Sequence, residues 1–356
     1  MLFLAALLAV STPFSLNPEG ATISSGTIFT STDGKPVHAH GAGLLLPGAH
    51  PAGAGGLYYM VGTTEKTDCG GSGLWLSSGI NMYSSPDLEH WTYEHQIFRN
   101  ISITTPLPAG QAPLYRIERP KVIYNTKTRK YVMYFHLDSS GFKMGMVGVA
   151  TCDTVAGDYS FIRGFQPDGQ RSLDMGLWQE ADGAAYLVRS VDNNFAGFSR
   201  LTPDYLNTTA DGIVSKGPRC EGQAVWREGN NYFLLGSHLT GWDANAAILA
   251  TAKAPLAGAT WTVLGNPGGS SSTFNSQSTF ALPYKHPSSG KQLTLYLGDR
   301  WNNGGPGSVG NASYVWLPLV RTESEPSGWK LGAVSTGSTG DGEWKVADYS
   351  YDYAQA

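Results

Sequence analysis

Charge is scarce in this chain. Asp, Glu, Lys and Arg make up only 15% of 356 residues, and the net charge is −4. No cluster of Lys or Arg occurs, which argues against a nucleic-acid partner. Long apolar runs are also missing. The run MLFLAALLAV (1–10) is too short to cross a bilayer, and no later stretch could, so no membrane partner is expected. Cysteine is rare: Cys69, Cys152 and Cys220 admit at most one disulfide and leave one thiol over, which excludes a disulfide-built scaffold. No spacing suggests zinc, and no cofactor is expected. A G-x-S-x-G elbow is absent, which disfavours a serine hydrolase. GPGSVG (305–310) fits a dinucleotide fingerprint formally, but it leads into a strand-like run and reads as a loop. Helical periodicity is scarce throughout.

Turn formers and aromatics are abundant. The chain carries 45 Gly, 20 Pro, 18 Tyr, 13 Phe and 10 Trp. The first two suit many short strands joined by turns; aromatic faces fill β cores and also stack on sugar rings. Residues 1–17 read as a secretory leader, with a buried N-terminal strand as the alternative. The sequons at Asn100, Asn207 and Asn311 agree with a secreted glycoprotein. Residues 18–356 read as one domain, expected to be a monomer, with GNPGGSSS (265–272) and TGSTGDG (336–342) as loops.

One unit recurs five times: a short apolar strand, a polar turn, then a strand often rich in aromatics. Its copies are GAGLLLPGAHPAGAGGLYYMVGTT, PKVIYNTKTRKYVMYFH, GLWQEADGAAYLVRS, GQAVWREGNNYFLLGSH and STFALPYKHPSSGKQLTLYLGDRW. Tyr58, Tyr131, Tyr186, Tyr232 and Leu295 mark equivalent second strands. Two further strands follow each hairpin. Four strands repeated five times predict an all-β fold, a five-bladed β-propeller, rather than a two-sheet sandwich.

Each unit is preceded by polar residues: His38 and His40, then Arg116, Glu118 and Arg119, then Asp174, then Glu221, then Asn275 and Gln277. In a propeller the first strand of every blade lines the central channel, so these side chains converge on one pocket. Taken singly, Glu118 could pair with Arg116 and Arg119, Asp174 could cap a turn, and Gln277 could be solvated. The histidines His40, His136 and His238 could hold a metal or water, or be core and loop groups. Taken together, three carboxylates suit glycoside cleavage, which needs a protonated acid at the leaving oxygen and a second group for water or sugar. Glu221 is the candidate acid and Asp174 its tuning neighbour. Glu118 or Gln277 would face water or sugar hydroxyls.

At HAHGAG (38–43), RIERPKVIYN (116–125), LDMGLWQEADGAAYLV (173–188), CEGQAVW (220–226) and FNSQST (274–279), the chain resembles glycoside hydrolase family 43. The likeness is greatest to its fungal exo-β-1,3-galactanase branch and runs from about residue 36 onward. The resemblance implies a five-bladed propeller and an inverting hydrolase of oligo- or polysaccharide. It gives Glu221 the role of catalytic acid, Asp174 that of holding it, and Glu118 a contact to the terminal sugar. It places Gln277 where other members carry a carboxylate base. Such a glutamine would act by positioning water or through an imidic tautomer. His40, Thr240 and Trp242 are assigned to substrate binding with Glu118. One departure stands out: Thr63, in YYMVGT, replaces a sugar-contacting Glu, and the insertion TEKTDCGGSGLWLSSG (64–79) follows. The alternatives are α-L-arabinofuranosidase or β-xylosidase activity, or a propeller that binds sugar without cleaving it.

Overall fold

The computed structural model describes residues 23, 25–51, 56–65, 76–267, 271–285, 292–301, 312–322 and 327–331. The leader, Cys69, Asn311, GPGSVG and TGSTGDG lie outside them.

Five four-stranded antiparallel sheets follow one another along the chain. Blade I holds β1 (His40–Leu45), β2 (Tyr58–Glu65), β3 (Ser77–Ser85) and β4 (Thr92–Arg99). Blade II holds β5 (Arg116–Asn125), β6 (Lys130–Asp138), β7 (Met146–Cys152) and β8 (Ser160–Phe165). Blade III holds β9 (Ser172–Gln179), β10 (Ala185–Val191), β11 (Phe195–Leu201) and β12 (Thr208–Lys216). Blade IV holds β13 (Glu221–Glu228), β14 (Asn231–Ser237), β15 (Ala247–Lys253) and β16 (Thr262–Gly265). Blade V holds β17 (Gln277–Lys285), β18 (Gln292–Arg300), β19 (Ser313–Arg321) and β20 (Trp329–Leu331). The first strands touch in the closed ring β1–β5–β9–β13–β17–β1. This is a five-bladed propeller, and the five marked residues all fall on second strands. In the third unit the sequence offers FAGFSRLTPDYLN (195–207) as the last pair of strands, but it holds β11 alone, and β12 begins just past it at Thr208.

The packing explains why the blades need one another. Each main apolar cluster draws on two adjacent sheets. Tyr59, Ile80 and Phe98 of blade I meet Met133 and Phe135 of blade II; Trp226 and Phe233 of blade IV meet Tyr296, Leu317 and Trp329 of blade V. A blade alone would leave both faces wet, so stability comes from stacking around the ring. Closure falls to the segment before β1. The Gly26 N–H donates to the Tyr314 carbonyl at 2.7 Å, and the Tyr314 N–H donates to the Thr27 carbonyl at 2.8 Å. Phe29 stacks on Tyr314 at 4.7 Å. The chain before blade I is thereby clasped to blade V.

Two sequence expectations meet the packed structure here. Asn100 is buried; its carboxamide donates to the Ser77 and Tyr115 carbonyls at 2.8 Å each and accepts the Tyr115 N–H at 3.1 Å. A glycan cannot attach to that nitrogen in the folded protein, so the Asn100 sequon is structural. Cys152 and Cys220 are both free thiols.

Candidate active site

The first strand of each blade begins with a fault in its pairing. Register shifts fall between His40 and Gly43 in β1, Glu118 and Lys121 in β5, Glu221 and Ala224 in β13, and Ser278 and Phe280 in β17. In β9 the shift lies opposite Arg189 and Val191, so it spans Leu173 and Asp174. Such bulges re-aim side chains at a strand end. In three of them the residue after the polar one is left-handed: Gly41 at φ 63°, Arg119 at φ 58° and Gly222 at φ 62°. That accounts for Glu221 being followed by glycine. A Cβ at 222 would be strained and would also lie 2.7 Å from the Ser278 carbonyl oxygen.

The bulges turn Glu118, Asp174, Glu221 and Gln277 into one cleft of about 420 Å³, also lined by Thr63, Arg119, His136, Phe142, Trp242 and Trp301. Arg119 organises its floor. This buried guanidinium holds Asp174 at 2.9 Å, donates to the Ser278 carbonyl at 2.7 Å and donates to Gln277 Oε1. It is not the partner of Glu118, whose Oε2 takes His136 Nδ1 at 2.8 Å and whose Oε1 lies 3.8 Å from Arg116. Asp174 also accepts the Gly222 N–H at 2.9 Å, which ties the bulge of blade IV to blade III.

Glu221 has the most altered chemistry among these groups. Burial, then the charge of Asp174, raises its pKa from 4.5 to about 8, against the opposing pull of Arg119 and the Gln277 amide. At neutral pH it keeps its proton. Oε1 accepts from Gln277 Nε2 at 3.0 Å. The other Gln277 hydrogen goes to Ser237 Oγ at 2.9 Å, and Gln277 Oε1 accepts from Trp301 Nε1 at 2.7 Å as well as from Arg119. The next residue back, Cys220, is inert packing: burial pushes its thiol up to about 12.

His136 shows the opposite balance. Burial alone would lower its pKa, but hydrogen bonds to Asp138 and Glu118, which accept from the ring, outweigh that and raise it to about 9. With Asp138 3.4 Å from Nε2, both ring nitrogens face carboxylates and the ring is an imidazolium at neutral pH. Glu118, His136 and Asp174 offer ligand atoms within 4.8 Å of one another. A metal there would have to displace the proton that these carboxylates hold on the ring. His238 is exposed on a loop, and among the described residues His40, His136 and His238 do not form a group at ligand distance.

The remaining assigned residues divide. Trp242 is at the rim, 36% exposed, its ring edge-on to Trp301 at 5.6 Å. His40 lies beneath the cleft, 1% exposed, stacked on Tyr314 at 5.3 Å with Nδ1 3.2 Å from Asp299. Thr240 faces its own loop: its hydroxyl donates to the Asp243 carbonyl at 2.5 Å and accepts from Asn245 at 2.6 Å. Neither His40 nor Thr240 is among the residues that line the cleft. Thr63 lines the cleft, its hydroxyl 3.2 Å from the His40 carbonyl. Sequence reasoning missed Trp301, Asp299 and Ser237, and it missed the pairing of Arg119 with Asp174. Asp299, 1% exposed, accepts the Gly41 N–H at 2.8 Å and fixes the bulge of β1.

Comparison with known proteins agrees with this geometry. The profile of glycosyl hydrolases family 43 matches residues 51–267. A xylosidase/arabinosidase of Thermoclostridium stercorarium is 28% identical over 244 residues, covering 60% of this chain and 48% of that protein. Among solved structures, an exo-β-1,3-galactanase of Phanerochaete chrysosporium with galactose is 32% identical, at TM-score 0.70, over 88% of this chain and 66% of that one. An exo-β-1,3-galactanase of Clostridium thermocellum is also 32% identical, at TM-score 0.72, over 87% of this chain and 64% of that one. The chain thus spans about half the length of the first relative and just under two thirds of the two galactanases. With the family profile matching over half of its residues and its fold shared with these enzymes, the chain belongs to glycosyl hydrolases family 43.

Proposed function

We propose that this protein is a glycoside hydrolase that removes terminal galactose from β-1,3-linked galactan, with inversion at the anomeric carbon. The observation that carries this reading is Glu221, whose carboxyl stands in a sugar-sized cleft and accepts from Gln277, with burial and the charge of Asp174 raising its pKa. A carboxyl in that state gives its proton to a leaving glycosidic oxygen. As the C–O bond breaks, water adds to the anomeric carbon from the other side and loses a proton. Gln277 is badly placed to take that proton, because its oxygen already faces two donors and its nitrogen has no lone pair. Glu118 is the better group to orient water and to take its proton, since among the described residues its Oε1 has only Arg116, at 3.8 Å. Trp242 offers an aromatic face at the rim.

Support for galactose comes from the two galactanases and from a Glu-to-Gln variant of the Phanerochaete enzyme solved with β-1,3-galactotriose. Pentoside cleavage is the second reading. It is favoured by Thr63, which puts a short hydroxyl at the cleft wall, and by the xylosidase/arabinosidase relative. Secretion and plant cell-wall polysaccharide as substrate belong to the same proposal. The test is product analysis on β-1,3-galactan, arabinan and xylan, with the anomer followed by NMR. Galactose appearing first as its α-anomer supports the proposal; arabinose or xylose as the main product transfers it to the second reading. Wild type that binds galactan without any turnover, matched by Glu221→Gln, overturns hydrolysis.

A further inference from the structure

We propose that Trp301 is a positioning residue: with Arg119 it fixes which way the Gln277 carboxamide faces, and thereby which oxygen of Glu221 carries the catalytic proton. The inference rests on the reading of Glu221 as general acid.

An amide side chain has two orientations of similar shape, one with oxygen and one with nitrogen at a given place. Here the neighbours decide between them. Trp301 Nε1 and Arg119 Nη2 both reach the same end of Gln277, the indole at 2.7 Å. An indole N–H and a guanidinium only donate. The amide oxygen must therefore face them; the flipped amide would set N–H against N–H twice. An imidic tautomer meets the same objection, since its new O–H would point at two donors. The –NH₂ group is left facing Glu221 Oε1 at 3.0 Å and Ser237 Oγ at 2.9 Å. Oε1 of Glu221 is thus an acceptor, and Oε2 has no hydrogen-bond partner among the described residues. The proton sits on Oε2, free to leave toward a glycosidic oxygen.

Trp301 is built to hold this position. It is 8% exposed, and its ring meets Trp242 edge-on at 5.6 Å and His40 at 6.3 Å. The Arg119 guanidinium lies 5.5 Å from the ring centre. One indole therefore braces both the cation and the amide. Arg119 alone would also satisfy the amide oxygen, but it must serve Asp174 and the Ser278 carbonyl as well.

The test is Trp301→Phe, which keeps the ring and removes the N–H, with Gln277→Met as a second variant that abolishes the amide. Each is assayed beside wild type on two substrates: a β-1,3-galactooligosaccharide, whose alkoxide leaving group needs the proton, and β-galactosyl fluoride, whose leaving group needs it far less. Arabinosyl and xylosyl pairs are run in parallel. Both variants are expected to lose roughly tenfold to a hundredfold in kcat on the oligosaccharide, a part of the hundredfold or more that a general acid supplies, with KM little changed and the fluoride rate nearly intact. A loss equal on both substrates, or no loss in Trp301→Phe, overturns the positioning role while leaving hydrolysis standing. Wild type inactive on every pair overturns hydrolysis itself and this proposal with it. Preference for a pentosyl pair moves the sugar assignment, and the leaving-group contrast is then read on that pair.

Discussion

Glu221→Gln should make the folded protein more stable, and increasingly so as pH rises. The native carboxyl binds its proton with a pKa of about 8, against 4.5 for an exposed glutamate. Below pH 4.5 folded and unfolded chains both hold that proton. Between pH 4.5 and 8 only the folded chain holds it, so the unfolded state binds fewer protons and stability falls by about 1.4 kcal/mol per pH unit. The deficit at pH 7 is then about 3 kcal/mol, and it levels off near 5 kcal/mol above pH 8. Glutamine is neutral and nearly isosteric, so it removes this dependence while leaving every other titrating group in place. Urea unfolding of the two proteins at pH 5, 6, 7 and 8 measures the difference directly. The variant should gain by roughly 3.5 kcal/mol between pH 5 and 8, and it should lose at least about a hundredfold in kcat. Stability curves that stay parallel across that range would mean that Glu221 is already charged at pH 5, and the assignment of the acid would fail.

Three further outcomes follow from the same contacts. Asp174→Asn removes a charge that raises the Glu221 pKa and releases Arg119, so the basic limb of the kcat–pH profile should move down by roughly one pH unit. An unmoved limb would separate Asp174 from the acid. Gly222→Ala forces a side chain into a left-handed bulge against the Ser278 carbonyl, and should cost about 1–3 kcal/mol in urea unfolding with a larger loss of activity than of fold. Trp226, 0% exposed and stacked on Phe233 at 5.2 Å between blades IV and V, should cost about 3–5 kcal/mol when replaced by Ala, measured the same way.

Much of the propeller was legible because strand and turn chemistry is local. Asp182-Gly183 marks a tight turn wherever the chain goes, and the second strands read as short apolar runs because they are buried on both faces. β12 escaped because TTADGIVSK alternates weakly: as an outer strand it is half-wet, and its pattern is diluted by Asp211 and Gly212. The Asn100 sequon misled for a related reason. A triplet records what an enzyme can recognise in an extended chain, not whether the amide is later buried under Tyr115.

The carboxylates of the site were likewise visible as residues but not as a circuit. That a polar residue precedes each first strand can be read off the chain, because strand starts are local events. That Arg119 joins Asp174 and not Glu118 cannot, since a left-handed bulge at 119 swings the guanidinium across the channel. Asp299 stands 258 positions from the Gly41 amide it holds, and Trp301 is 24 positions from Gln277. Short-range pleat and turn preferences, written residue by residue, dictate the five four-stranded units and which side chains stand at their entrances. Only ring closure decided which of those side chains meet, how deeply Glu221 is buried and so that it keeps its proton, because hydrogen-bond geometry and dielectric depend on distances across the channel that no stretch of chain contains.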